Sequence, residues 1–243
     1  MRNVWTIAVR ELRHYFVSPV AYALAFMIFL ILGGIFFINV YFGLQSGYVS
    51  PDGRIVMGPL VTILLFITPA ITMRLIADEY RMGTFELLLT APVRDWELVV
   101  GKWLGSLLFM LIILLVTWAY PLILHRMSTP GIDQGILLAS TLGIVLMVAA
   151  MLAIGVMVSA FFRSPLAAFF TSLAVLLVLW IVGSLGGASG LASEIARQLS
   201  FVDHFYGSFY RGLLSLTDAL YYVSLTVLAL FLGSQAVEAR RWG

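Results

Sequence analysis

Pro19-Val-Ala-Tyr-Ala-Leu-Ala-Phe-Met-Ile-Phe-Leu-Ile-Leu-Gly-Gly-Ile-Phe-Phe-Ile-Asn-Val-Tyr-Phe42 contains no charged residue, and its strongest polar group is the amide of Asn39. A helix needs about 20 such residues to cross the roughly 30 Å of hydrocarbon in a bilayer. Further apolar runs of spanning length follow near 57–77, 102–124, 135–161, 165–187 and 218–237. Inside lipid every backbone N–H and C=O must be satisfied within the protein, so such runs are helices. The expected fold is therefore all-α: a membrane protein of six transmembrane helices, forming a single domain over 1–243. The composition agrees, with 62% hydrophobic and 11% charged residues and a mean hydropathy of +1.04. The first run is not expected to be a signal peptide, because it is too long and an amphipathic stretch precedes it.

The chain has no cysteine, which excludes disulfides, thiolate metal sites and cysteine nucleophiles. A net charge of +2 gives no reason to expect a nucleic-acid partner. The cations do carry orientation. With the N-terminus inside, the inner segments hold Arg2, Arg10, Arg13, Arg74, Arg81, Arg94, Lys102, Arg163, Arg240 and Arg241, and the outer side holds Arg54, Arg126, Arg197 and Arg211. The flipped topology would violate the positive-inside rule, so both termini are expected in the cytoplasm. Segment 188–217 then falls outside the cell membrane.

Residues 2–16 precede the first span. Val4, Trp5, Ala8, Val9, Leu12, Tyr15 and Phe16 share one helical stripe, and Arg2, Asn3, Thr6, Arg10, Arg13 and His14 share the other. This is the pattern of an amphipathic interfacial helix lying along the membrane surface. Glu11 stands on its apolar side. Two readings fit: a carboxylate paired with a nearby arginine, or a contact to the 78–92 segment or to a partner. Pro69 in the middle of the second span removes a backbone donor and predicts a kink, used either as a gate or for packing. Ser164, Ala168 and Ser172 step by four along the fifth span, and small residues at that spacing permit close helix contact, within the chain or between two chains.

Charge is scarce, yet five of the 12 acidic residues fall in one window: Asp78, Glu79, Glu86, Asp95 and Glu97. The window breaks at Gly83 and restarts at Thr84, whose hydroxyl suits a helix cap, with Glu86 in the favourable first turn. Phe85, Leu87, Leu88 and Leu89 then give a short cytoplasmic helix an apolar surface before Pro92 stops it. Asp95 is placed to cap the third span, with Trp96 and Trp103 as interfacial anchors. Segment 78–95 thus has the character of a docking element for a soluble partner.

Other chemistry is missing. No phosphate-binding G-x-x-x-x-G-K-[ST] loop exists, since Gly101-Lys102 is followed by Trp103. His14, His125 and His204 are scattered and form no zinc motif. No span carries a charge in its middle, as ion-driven transporters usually do. The remaining logic is a membrane subunit driven by a separate energy source.

Asp78-Glu79-Tyr-Arg81-Met-Gly83-Thr84-Phe85-Glu86-Leu87-Leu88-Leu89-Thr90-Ala-Pro92, with Gly101-Lys102 after it, resembles the signature of type 2 ABC transporter permeases. Arg10-Glu11-Leu12 with Phe16-x-Ser18-Pro19, Ala153-Ile-Gly155 through Ser159, and Phe205 to Asp218 are also similar, so the resemblance covers nearly the full length. It is strongest to the branch of the gliding-motility permease and its relatives from nitrous-oxide-reductase maturation. The resemblance implies a permease subunit, itself no enzyme, in the bacterial inner membrane. It implies a second permease chain and separate ATP-binding subunits, which hold ATP and Mg, so that no cofactor belongs to this chain. ATPase docking is implied for Glu79, Arg81, Gly83, Thr84, Phe85, Glu86, Leu87, Leu88, Thr90 and Pro92 of the coupling helix, and for Arg10 and Glu11 of the surface helix. A dimer seam is implied at Gly33, Gly34, Ser164, Ala168 and Ser172. The expected activity is ATP-driven transport, in the direction of export. The alternative is a mechanical or regulatory complex acting on an extracytoplasmic partner with nothing crossing the membrane.

Overall fold

A computed structural model describes residues 2–45, 52–83, 93–128, 131–187 and 191–241. Among these residues the structure is helical and contains no strand. Among the described residues, six helical stretches are long and apolar enough to cross a membrane: Pro19–Gln45, Arg54–Arg81, Asp95–Met127, Gln134–Phe161, Pro165–Ser184 and Leu216–Arg240.

Helix α1 (Arg2–Val17) leads into α2 (Pro19–Gln45) through Ser18 alone, the proline at a helix start where its missing N–H costs nothing. Helix α3 (Arg54–Thr72) runs through Pro69; the interruption comes C-terminal to it, at residues 73–76, before the short α4 (Ala77–Arg81). Helices α5 (Asp95–Thr117) and α6 (Ala119–Met127) form one stretch that yields at Trp118, three residues before Pro121 withholds a donor. Helices α7 (Gln134–Phe161) and α8 (Pro165–Ile181) are joined by a tight turn at 162–164. A 3-10 turn (Val182–Gly187), α9 (Leu191–Leu199), α10 (Phe201–Gly207) and a second 3-10 turn (Phe209–Arg211) precede α11 (Leu216–Arg241).

Helix α7 is the axis of the bundle. Its most apolar window is 72% buried, against 11% for α2 and 17% for α8, and α3, α5, α8 and α11 all pack against it. Small residues on α7 allow this. A Cβ at Gly155 would lie 2.1 Å from Thr72 Oγ1, so α3 and α7 approach there more closely than any larger residue permits. At the other end of α7, a Cβ at Gly143 would meet Phe209 at 2.5 Å. Phe201, Phe205 and Phe209 are buried, and Ser140 Oγ donates to the Phe209 carbonyl at 3.1 Å. The segment between α8 and α11 is thus folded onto the end of the bundle opposite α4. Tyr222 ties it down further by donating to the Phe201 carbonyl at 2.7 Å.

Two local expectations are revised. Asp95 is not the cap of α5: Arg94 occupies that position, and Glu97 Oε2 accepts from the Arg94 backbone N–H at 3.1 Å. Trp103 turns inward rather than to the interface, donating through Nε1 to the Ala149 carbonyl at 2.9 Å. That carbonyl is reachable because the adjacent turns of α7 carry small side chains, Ala149 and Ala153.

Candidate functional site

The end of the bundle that carries α1 and α4 is held by a buried ion cluster. Lys102, the single lysine of the chain, is 1% exposed on the second turn of α5. Its Nζ lies 2.8 Å from Glu11 Oε1 of α1 and 2.7 Å from Glu79 Oε1 of α4. One ammonium therefore pins together three elements that are far apart in sequence. A charge buried this deeply is tolerated only when paired and hydrogen-bonded, which the two carboxylates provide.

Helix α1 reaches the cluster because α5 presents glycines to it. A Cβ at Gly101 would lie 2.8 Å from Ile7 Cβ, and one at Gly105 would lie 2.7 Å from Glu11 Cβ and 2.9 Å from the Ala8 carbonyl oxygen. The Gly101-x-x-x-Gly105 spacing opens a groove along one face of α5, and Ala8 and Glu11 are buried in it. This is the close approach that small-residue spacing permits between helices. Tyr15 closes the same face, stacked on Phe109 at 4.7 Å between ring centroids and donating to the Ile71 carbonyl at 3.3 Å. Burial and the neighbouring Glu11 push its phenol well above the ordinary range, so it remains a neutral donor. At the start of α1, Asn3 Nδ2 donates to Glu97 Oε2 at 3.1 Å.

Helix α4 is fixed from its other side as well. Where the chain leaves α3, the freed backbone groups are taken up by one hydroxyl of α7: Ser159 Oγ accepts from Ile76 and Ala77 N–H at 3.2 and 3.1 Å and donates to the Met73 carbonyl at 3.2 Å. The guanidinium of Arg240, on the last turns of α11, sits 4.5 Å from the centre of the Tyr80 ring and also donates to the Phe161 carbonyl. Asp78 meets Arg81 at 3.5 Å and Arg74 at 4.0 Å. Helix α4 ends at Gly83, whose φ of +69° is the left-handed conformation that glycine adopts without strain.

The site residues expected from sequence divide by place. Glu79 and Glu11 are in the buried cluster, whereas Arg81 and Gly83 lie exposed at the end of α4 and Arg10 is exposed on α1. Thr84, Phe85, Glu86, Leu87, Leu88, Thr90 and Pro92 lie outside the described residues. Of the residues expected at a dimer seam, Ala168 and Ser172 are 0% exposed within one chain, and a Cβ at Gly33 would lie 3.2 Å from the Tyr120 hydroxyl of α6. Gly34 and Ser164 face outward.

Glu11 is paired with a lysine and not with an arginine, and it shares that lysine with α4. Lys102 itself was legible only as part of a sequence signature; the signal for its role was its being the single lysine, placed at the start of an apolar helix. Ser159, Tyr80 and Arg240 carried no sequence signal of comparable strength.

No metal-binding group of three or more histidine, cysteine, aspartate or glutamate side chains occurs among the described residues. No curated protein matches the sequence. Residues 5–239, which include most of α1, the ion cluster and the six spans but for the last residue of the sixth, match the family described as ABC-2 family transporter protein. The chain belongs to that family, the membrane-embedded permease components of ABC transporters.

Proposed function

We propose that this chain is the permease of an ATP-driven exporter of the bacterial inner membrane, working as a pair with a second permease chain and two separate ATP-binding subunits. Residues 84–92 are the surface on which an ATP-binding subunit docks, and ATP and Mg belong to that subunit. Helix α1 lies in the cytoplasmic interface, and both termini face the cytoplasm. The gliding-motility and nitrous-oxide-reductase-maturation branch is the nearest setting on sequence resemblance.

The Glu11–Lys102–Glu79 cluster is the observation that carries this reading. A segment that is pushed by a partner transmits force only if its base is fixed to the spans. Here the base, α4, is fixed at three points: to α1 and α5 through Lys102, to α7 through Ser159, and to α11 through Arg240. Movement of 84–92 therefore moves α5, α7 and α11 together and not the loop alone. Glu11 and Glu79 serve in this reading as the mount of the docking surface, and Arg81 and residues 84–92 as the surface itself.

Co-purification of the tagged chain with the ATPase encoded beside it tests the reading. Recovery of a soluble ATPase in one-to-one ratio, lost in Glu86→Arg while the thermal unfolding of the chain is unchanged, is the expected result. Undiminished ATPase recovery with Glu86→Arg would place the docking surface elsewhere.

A further inference from the structure

A cleft of about 950 Å³ opens at the α1 end of the bundle, between α1, the first turns of α2, and the lower part of α3 with α4. It changes character along its length. Toward α2 and α3 it is lined by Val20, Leu24, Ala70 and Ile71; toward α1 and α4 its wall is charged, with Arg10, Arg13 and Arg74 beside Lys102 and the carboxylates of Glu11, Asp78 and Glu79. The change falls at Ser18, where α1 ends and the apolar α2 begins. Only 11% of the most apolar window of α2 is buried, so the apolar end of the cleft adjoins the zone of the membrane.

The charges around the cleft are unevenly satisfied. Glu11 and Glu79 share Lys102, and Asp78 has Arg81 and Arg74 nearby. Arg10 and Arg13 are exposed at the rim; Arg10 lies in the field of Glu79, whereas Arg13 has no ion pair among the described residues. With Glu11 and Glu79 sharing Lys102, the exposed guanidinium groups leave a cation in excess at one end, and a cavity of this size with an apolar floor matches an amphiphile with an anionic head. Guanidinium groups suit phosphate because they offer several donors in one plane.

We propose that this cleft holds an anionic phospholipid of the adjoining leaflet, its phosphate between Arg10, Arg13 and Arg74 and one acyl chain against Leu24, Ala70 and Ile71. The lipid fills the space between α1 and α2 and so helps to hold α1 in its groove on α5. The site is independent of ATPase docking, and its test is made on the permease alone.

Native mass spectrometry of the purified chain, exchanged into detergent with phosphatidylglycerol or phosphatidylcholine, reads the site. The wild type is expected to retain phosphatidylglycerol in preference to phosphatidylcholine. Arg13→Gln with Arg74→Gln should lower that retention roughly thirtyfold, from about fivefold for each charge near a surface. Ala70→Phe, which fills the apolar end, should abolish it with the arginines intact, and Arg211→Gln at the opposite end should leave it unchanged. Equal retention of both lipids, or retention indifferent to the arginine and Ala70 variants, would overturn the proposal. A soluble source of the same chemistry gives a different pattern: inorganic phosphate alone would displace the lipid and Ala70→Phe would be silent, which also rejects an amphiphile. Thermal unfolding of each variant in the same detergent separates loss of the lipid from loss of the fold.

Discussion

Lys102 sets the terms at the scale of single residues. Its ammonium holds two carboxylates at 2.8 and 2.7 Å in a site largely withdrawn from solvent at the inner wall of the cleft. Replacing a buried ionic cluster with apolar groups is often neutral, whereas removing one partner leaves the others buried and uncompensated, at about 3–5 kcal/mol. Lys102→Met is therefore expected to lower stability by about that amount, because two carboxylates lose their shared cation. The triple variant Lys102→Met, Glu11→Gln, Glu79→Gln should recover most of the loss, since no net charge remains buried. Thermal unfolding in detergent measures both. If the triple variant is as unstable as Lys102→Met, the lysine matters for its packing and not for its charge. The sequence made Glu11 conspicuous as an acid on an apolar stripe but could not supply its partner. Lys102 lies 91 positions away, and only the glycine groove on α5 brings the two together.

Packing rules decide which expectations survive at the scale of elements. Helix α1 was legible from periodicity, because a one-sided apolar stripe at 3.6-residue spacing fits a helix and does not fit a strand. Its partner was not, since the groove that receives it is made by the absence of side chains at Gly101 and Gly105. Trp5 and Phe16 share the expected apolar stripe yet stay 58% and 42% exposed; the buried line instead runs through Ala8 and Glu11. Gly101→Leu is therefore expected to unseat α1, because even a Cβ at that position would lie 2.8 Å from Ile7 Cβ and 3.1 Å from the Val4 carbonyl oxygen. Trypsin cleavage at Arg10 and Arg13 in detergent should accelerate in that variant and not in Gly34→Leu, where an added Cβ meets nothing within 4 Å. Equal cleavage of the two variants would show that α1 is not seated in the groove. The position of the break after α3 was also beyond sequence reading. Pro69 weakens the helix, but the chain departs at 73–76, where the Ser159 hydroxyl of α7 takes up three of the freed backbone groups.

Two helices of the whole molecule, α2 and α8, stand at its margin, with only 11% and 17% of their most apolar windows buried. Lipid satisfies such surfaces as well as protein does, so exposure alone names no partner. The pairing of two permease chains proposed above does constrain which residues meet. Ala168 and Ser172 are already enclosed by their own chain, and the small-residue ladder on α8 serves packing against α7 and α3. A second chain approaching α8 meets its opposite side, where Leu166, Phe170 and Val178 are 66%, 64% and 66% exposed. Phe170→Cys is therefore expected to give a crosslinked dimer in native membranes under mild oxidation, and Ala168→Cys to give none. Ala168→Leu should instead lower the stability of the single chain by about 1–3 kcal/mol, the usual result of forcing extra methylenes into a filled space. Crosslinking at position 168 and not at 170 would mean that α8 turns over when two chains assemble. A dimer by mass that crosslinks at neither position would move the seam to α2, where Gly34 offers an open face with nothing within 4 Å of an added Cβ.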